Sequence, residues 1–302
     1  MSLSPGIGDW RPIRTALFVP GNRPDRIDKA MGSDADMVII DLEDAVPSGQ
    51  KQGARAKARD KLGEHGGQKI IVRVNSLGSG LIEDDLSSIV VKGLDFIMLP
   101  KLETPKDAVQ INDLLLYAEK QSGVEEGTVR VIGLVESALG VEKAFEIAST
   151  QTNPQRLYTI AFGAADFVLD LGIELSRDGA ELAYPRAKIP IACKAAGLYP
   201  PIDTPYMIDI KDTVGLVADA KRARLLGFQG KLCVHPLQVG PCNEVFSPSR
   251  EEISHAEKVV ETFERARAGG EQVVQMDGRF IDPPVVERAK QTLALARKLN
   301  HT

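Results

Sequence analysis

Gly133-Leu134-Val135-Glu136-Ser137 and, thirty positions on from glutamate to aspartate, Ile160-Ala161-Phe162-Gly163-Ala164-Ala165-Asp166 are two apolar runs that each stop at a carboxylate. A run of this length bounded by turn residues reads as a strand buried on both faces. The charged side chain at its end must then meet solvent, a metal or a partner. Two such strands put two carboxylates side by side at one rim of a parallel sheet, where α/β enzymes keep their chemistry.

Working outward, eight apolar runs recur at intervals of roughly 20–40 residues, at 16–20, 37–42, 70–75, 96–100, 129–135, 157–162, 198–202 and 231–235. Helix-patterned segments separate them. Ala108, Ile111, Leu115 and Ala118 fall at helical spacing within 105–121, and 178–196 and 209–227 are amphipathic. Strand–helix alternation predicts parallel pairing with helices outside, and eight repeats fit a closed (β/α)8 TIM barrel. The rival, an open doubly wound sheet, lacks its Gly-x-Gly-x-x-Gly after any strand. After the eighth strand, helices are expected at 248–268 (capped around Ser247 and Ser249) and from Pro283-Pro284 to about 299, divided by Gly269-Gly270 and an Asp277-Gly278 turn. Residues 1–247 therefore read as the catalytic barrel and 248–302 as a C-terminal helical extension.

The composition excludes several classes. With 43% hydrophobic and 26% charged residues the chain is that of an ordinary globular protein, and a net charge of −5 leaves no broad basic field for nucleic acid or anionic membrane. No run reaches the ~18 apolar residues of a membrane span. Residues 1–10 do not read as a secretory signal, and the three scattered cysteines (Cys193, Cys233, Cys242) suggest a reducing cytoplasm.

Polar residues gather at the strand ends. Glu136 and Asp166 suit Mg2+, with Mn2+ as the alternative, because a hard cation keeps several waters and needs only one or two carboxylates; the plainer reading is that each caps the next helix. Asp41, Glu43 and Asp44 form a second acidic group, either supporting metal-bound water or pairing with a rim cation. Three carboxylates so close call for compensation by a metal or by Arg73. Arg73, inside a core strand, either forks onto a substrate carboxylate or enolate oxygen or forms a structural salt bridge to Asp41 or Glu43. Strand 1 runs into Pro20-Gly21-Asn22-Arg23, and Arg23, Arg26 and Lys29 follow at a spacing of three. That patch fits a phosphorylated handle such as coenzyme A, or a solvated helix face. Lys101 after Pro100 has the position of a Schiff-base lysine but lies on an acid-rich rim, which disfavours that role. His235 reads as a packed or hydrogen-bonded residue. Asp282 is either the N-cap of the last helix or part of a lid.

Phe18-Val19-Pro20-Gly21-Asn22-Arg23-Pro24, Asp41-Leu42-Glu43-Asp44-Ala45-Val46, Val72-Arg73-Val74-Asn75, Leu99-Pro100-Lys101, Gly227-Phe228-Gln229-Gly230-Lys231 and His235-Pro236 together resemble the citrate lyase β-subunit-like enzymes, which group with the malyl-CoA lyases in the HpcH/HpaI aldolase superfamily. The resemblance runs from Arg14 to about Leu299. It implies a (β/α)8 barrel, commonly a homotrimer, that uses Mg2+. It also implies metal ligands at Glu136 and Asp166, an active-site Arg73, and a catalytic Asp282 delivered into a neighbouring subunit's site; Glu43 and Asp44 would then hold metal waters and orient Arg73. The coenzyme A handle would lie by Pro20, Gly21, Asn22, Arg23, Arg26 and Lys29. Val135-Glu136-Ser137 stands where Ile-Glu-Thr is more usual, which keeps the ligand. The implied reaction is reversible Claisen-type cleavage of a 3-hydroxy-acyl thioester (malyl-, citramalyl- or citryl-CoA) to an acyl thioester and a 2-oxo acid. Two variants stay open. One is a citrate lyase β subunit acting on an acyl-carrier-protein thioester with partner subunits; the other is a malate or citramalate synthase that adds thioester hydrolysis. A non-enzymatic scaffold fits poorly with an intact set of site residues.

Overall fold

The structure is a computed structural model that describes residues 11–65, 69–268, 274–276 and 278–300. Residues 1–10, the Gly269-Gly270 break and Asp277 of the turn lie outside the described residues. The chain divides into two compact units, Met1–Asn243 and Glu244–Thr302.

In the first unit the strands are β1 (Thr15–Pro20), β2 (Met37–Asp41), β3 (Ile70–Arg73), β4 (Phe96–Leu99), β5 (Arg130–Val135), β6 (Leu157–Phe162), β7 (Ile202–Asp203) and β8 (Gly230–Cys233). They form a closed parallel barrel in chain order, with β1 pairing β8. The intervening helices are α1 (Pro24–Met31), α2 (Lys51–His65), α3 (Ile82–Ile89), α4 (Pro105–Ser122), α5 (Ala138–Glu142), α6 (Ala144–Ala148), α7 (Ala164–Leu171), α8 (Ala183–Ala196) and α9 (Thr213–Leu226), with α10 (Val239–Phe246) following β8. The TIM barrel expected from the sequence is the fold observed.

The barrel interior is filled by one cluster with members from every strand, among them Ala16, Met37, Ile39, Ile71, Met98, Ile132, Leu134, Ile202 and Leu232. Side chains alternate along a strand. Ile39 pointing inward therefore puts Asp41 inward, Ile71 does the same for Arg73, and Leu134 for Glu136. Each of the three lies one step beyond the last apolar layer, at the C-terminal mouth. The period of two that builds the core thus also delivers the charged groups to one place.

Three expected starts move by more than two residues. The seventh strand starts at Ile202, not at 198. Pro200 and Pro201 have no N–H to give a ladder, and the Leu198 N–H turns back to Cys193 O at 2.9 Å to close α8. The helix expected from 178 starts at Ala183, because Gly179 takes a left-handed conformation (φ 63°) in a turn. That expected from 209 starts at Thr213, capped by Asp212, whose side chain accepts from Gly215 N at 2.9 Å.

In the second unit, α11 (Arg250–Ala268) and α12 (Pro283–Asn300) pack around a hairpin of β9 (Val274–Met276) and β10 (Arg279–Ile281). Ala256, Val259, Phe263, Ile281, Val286 and Ala289 make its core. Ser249 caps α11, accepting from Glu252 N at 3.1 Å while the Glu252 carboxylate takes the Ser249 N–H at 2.7 Å. Among the described residues no helix is long and apolar enough to cross a membrane.

Candidate active site

Arg73 is the centre of the mouth and is 9% exposed. Its Nε and Nη2 donate to the two oxygens of Asp41 at 2.7 and 2.6 Å, a fork-on-fork pair. Asp41 is itself fixed by the Glu43 and Ala45 amides at 2.8 and 3.0 Å. The remaining nitrogen, Nη1, lies 3.2 Å from Glu43 Oε2 and 3.9 Å from Asp44 Oδ2, and the Phe18 ring covers the guanidinium at 4.9 Å. Burial pulls the guanidinium pKa down, but the Asp41 hydrogen bond and the surrounding carboxylates outweigh it, and the net shift is upward. Arg73 is thus the cation that the Asp41–Glu43–Asp44 group calls for. Glu43 is buried, and desolvation raises its carboxyl against the pull of Arg73 and Lys101. It borders a neighbouring cleft of about 450 Å3 with Lys51 and Lys101, which Asp44 also lines.

Glu136 is buried at the end of β5. It caps no helix. Ser137 does that for α5, accepting from Gly140 N at 3.1 Å, and Glu136 Oε1 instead accepts from the Lys101 backbone N–H at 2.8 Å. Gly163 leaves room for it: a methyl group there would stand 2.7 Å from Glu136 Oε2 and 2.8 Å from its Cβ. Asp166 lies in the first turn of α7, where the helix dipole favours negative charge. Among the described residues no hydrogen bond or ion pair holds the Asp166 carboxylate, and no cation pairs with Glu136. Burial, reinforced by the charge of Asp166, pushes the Glu136 carboxyl up to about 8. A buried carboxylate whose charging cost a second carboxylate raises, with no ion pair to either among the described residues, makes with its neighbour a fitting donor pair for a hard divalent ion.

A cavity of about 840 Å3 opens over these groups. Its lining includes Asp41, Asp44, Arg73, Glu136, Asp166 and Pro20 and, from α1, Arg26 and Lys29. His235 lines it too, with Nδ1 accepting from Leu237 N at 3.2 Å. Arg23 takes another direction: it precedes α1 rather than belonging to it, and its guanidinium pairs with Asp25 at 3.2 Å. Asn22 bonds Gln50 at 2.6 Å through Nδ2 and, through its carbonyl, the Lys57 ammonium at 3.0 Å. Gly21 lies behind them, its N–H on Asp41 O at 2.8 Å. Asp282 belongs to the second unit and caps α12, accepting from Val285 N at 3.2 Å.

Lys101 is not built as a Schiff-base lysine. Its ammonium donates to Glu43 Oε1 at 2.9 Å. Burial pulls its pKa down, but the Glu43 bond and nearby carboxylates leave it above the ordinary lysine value. Sequence reasoning missed Thr204, whose hydroxyl accepts from Ala164 N at 2.9 Å and lines the cavity. It also missed the backbone amide of Lys101. A threonine three positions after a pair of prolines carries no local signal of its place, and a backbone amide carries none.

A family model described as HpcH/HpaI aldolase/citrate lyase matches residues 14–236. Over 290 residues the chain is 36% identical to the citrate lyase subunit beta of Leuconostoc mesenteroides subsp. cremoris, covering 95% of this chain and 94% of that one. It is 33% identical over 297 residues to the mitochondrial citramalyl-CoA lyase of Homo sapiens, covering 95% and 86%. The fold is similar to that of the Mycobacterium tuberculosis protein CitE solved in complex with magnesium, acetoacetate and coenzyme A. That likeness has a TM-score of 0.77 at 30% identity and covers 95% of this chain and 98% of that one. The citrate lyase beta subunit of the same organism, complexed with oxaloacetate and magnesium, gives a TM-score of 0.66 at 31% identity over 80% and 99%.

Proposed function

The chain belongs to the HpcH/HpaI aldolase/citrate lyase family, and from that premise we propose that it is a Mg2+-dependent carbon–carbon lyase. It cleaves a 3-hydroxy-acyl coenzyme A thioester reversibly to an acyl thioester and a 2-oxo acid. The observation that carries this reading is the uncompensated Glu136–Asp166 pair beside a buried, pre-aligned guanidinium. Relatives solved with magnesium, oxo acids and coenzyme A support it.

Glu136 and Asp166 would hold the ion, which supplies a Lewis acid for the oxygens of the oxo-acid half. Once the hydroxyl proton has passed to water in the cavity, the alkoxide closes to the carbonyl of the oxo acid and the bond between the carbinol carbon and the acyl α-carbon breaks. Its electron pair passes to the thioester carbonyl as an enolate. Arg73, locked by Asp41 and Glu43, presents fixed positive charge to the enolate oxygen and costs no reorganisation. Asp44 completes the acidic flank that keeps the guanidinium aligned. Asp282, carried on the C-terminal unit of a neighbouring subunit, gives the proton to the enolate carbon. Arg26 and Lys29 meet the phosphates of coenzyme A. Exposed apolar side chains on and around α7–α9, such as Leu169, Ile191, Val214 and Leu225, support a homo-oligomer, and the family resemblance makes it a trimer. Three buried free cysteines support a cytoplasmic setting.

The deciding test is a Mg2+-dependent cleavage assay on malyl-, citramalyl- and citryl-CoA with an EDTA control. Release of an oxo acid from one of them is expected. The first-mentioned relative is a citrate lyase subunit beta, so silence across the panel in a protein that still binds metal would point to an acyl-carrier-protein thioester and partner subunits. Asp282→Ala is expected to keep metal and oxo-acid binding but to slow methyl-proton exchange of pyruvate about 100-fold; exchange at the wild-type rate would remove the acid–base role.

A pH dependence follows from Glu136. The ion needs the carboxylate, and the metal-free group holds its proton up to about pH 8. Metal binding below that pH releases this proton, so Mn2+ affinity should fall about tenfold per pH unit below about 8 and level off above it. Titrations between about pH 6 and 9 measure this, and a flat profile would argue against Glu136 as a ligand.

A further inference from the structure

Lys101 combines three features that the reaction as described does not use. It is the one non-glycine residue with positive φ among the described residues, at 54°. Its backbone N–H meets Glu136 Oε1 at 2.8 Å, and its ammonium meets Glu43 Oε1 at 2.9 Å. A left-handed lysine persists only where its surroundings over-determine it, and here the neighbour Leu102 is locked. The Leu102 N–H bonds Leu134 O at 3.1 Å. Its side chain fills the space over Gly133, where a methyl group would collide with it, and its carbonyl lies 2.8 Å from where Gly140 would carry one. With Leu102 seated over two glycines, the chain leaving β4 must turn through Lys101, and the turn aims the amide at Glu136. Glycine would take this turn without strain; the lysine in its place brings a cation to Glu43.

We propose that Lys101 is a positioning residue that links the two halves of the site. Its amide orients the Glu136 carboxylate, and its ammonium clamps Glu43 beside Nη1 of Arg73, 3.2 Å from Glu43 Oε2. The inference rests on Glu136 being a metal ligand and assigns the amide and the ammonium separate effects. Lys101→Gly keeps the turn and the amide but loses the ammonium. Lys101→Val loses both, because a β-branched residue resists positive φ. Lys101→Arg keeps both.

The test measures Mn2+ affinity by calorimetry together with kcat and KM on whichever thioester the wild type cleaves. Lys101→Gly should bind Mn2+ within about threefold of wild type while kcat falls about 10–100-fold, with KM little changed. Lys101→Val should in addition weaken Mn2+ binding about 10–100-fold, and Lys101→Arg should recover most of kcat. A Lys101→Gly protein with wild-type kcat overturns the clamp. A Lys101→Gly protein that loses Mn2+ affinity about tenfold or more overturns the amide assignment; these readings stand even if the valine variant fails to fold. A wild-type protein that binds no Mn2+ overturns the metal reading and this inference with it, whereas metal-binding variants indistinguishable from wild type overturn this inference alone.

Discussion

Asp166→Asn is expected to lower Mg2+-dependent turnover by about 10^3-fold or more while the protein melts where the wild type does. A Lewis acid at a developing alkoxide supplies several kcal/mol, and about 1.4 kcal/mol is a factor of ten. The fold should not notice the change. Asp166 is only half-buried, it lies in the first turn of α7, and among the described residues no hydrogen bond or ion pair depends on it. Asparagine keeps its shape and polarity there. The substitution has a second signature. The charge of Asp166 is, after burial, the main cause of the raised Glu136 pKa, so Glu136 in the metal-free variant should titrate below about 8. Three readouts therefore separate the roles: turnover with and without Mg2+, Mn2+ binding, and thermal melting. Full activity in a folded Asp166→Asn protein would remove the metal assignment, and lost activity with a lowered melting temperature would make the residue structural.

Lys231→Met is expected to be the costliest single change to the fold. Lys231 lies in β8 with its side chain on the helix side of the barrel, since its neighbour Leu232 belongs to the interior cluster. The ammonium is fully buried, bonded to Asp203 and 2.6 Å from Asp219. Arg186 of α8 completes the group, reaching Asp203 at 3.0 and 2.9 Å and Asp219 at 2.8 and 2.9 Å. Two buried cations thus face two buried carboxylates, and the partly exposed Arg222 reaches Asp219 from the surface at 3.3 Å. Burial pushes the Asp219 carboxyl up, but Lys231 and Arg186 overcome it and hold it well below the usual carboxylate range. Methionine matches the lysine stem but takes away the ammonium between Asp203 and Asp219 and leaves Arg186 to hold both buried carboxylates, which costs about 3–5 kcal/mol. For a domain of this size that lowers Tm by on the order of 10 °C. Thermal or urea unfolding measures it, and a shift of under about 2 °C would mean that water or a rearranged Arg186 takes over the charge. The group also bears on the site, because Asp203 precedes Thr204, which receives the Ala164 N–H at the head of α7.

The barrel and the inward charges were legible because both follow from a local period. Apolar alternation through Ile39, Ile71 and Leu134 is a property of consecutive residues, and it sends Asp41, Arg73 and Glu136 to the mouth whatever the neighbouring strands do. Arg73 as the partner of three nearby carboxylates was legible too, because an arginine in a buried strand has to be paired. Other features depend on which element lies beside which. Arg23, Arg26 and Lys29 share a spacing of three, yet only the last two line the cavity, since the helix begins at Pro24 and Arg23 turns to Asp25. Arg186, Asp203, Asp219 and Lys231 come from α8, β7, α9 and β8, and only barrel closure and register bring them within bonding distance. By itself, then, the sequence determined the repeating βα architecture and the set of groups at its mouth, because strand periodicity is a property of neighbours along the chain. The left-handed turn at Lys101 was decided by tertiary structure alone. No lysine prefers that conformation; it is imposed by packing Leu102 over Gly133 and Gly140, residues more than thirty positions away.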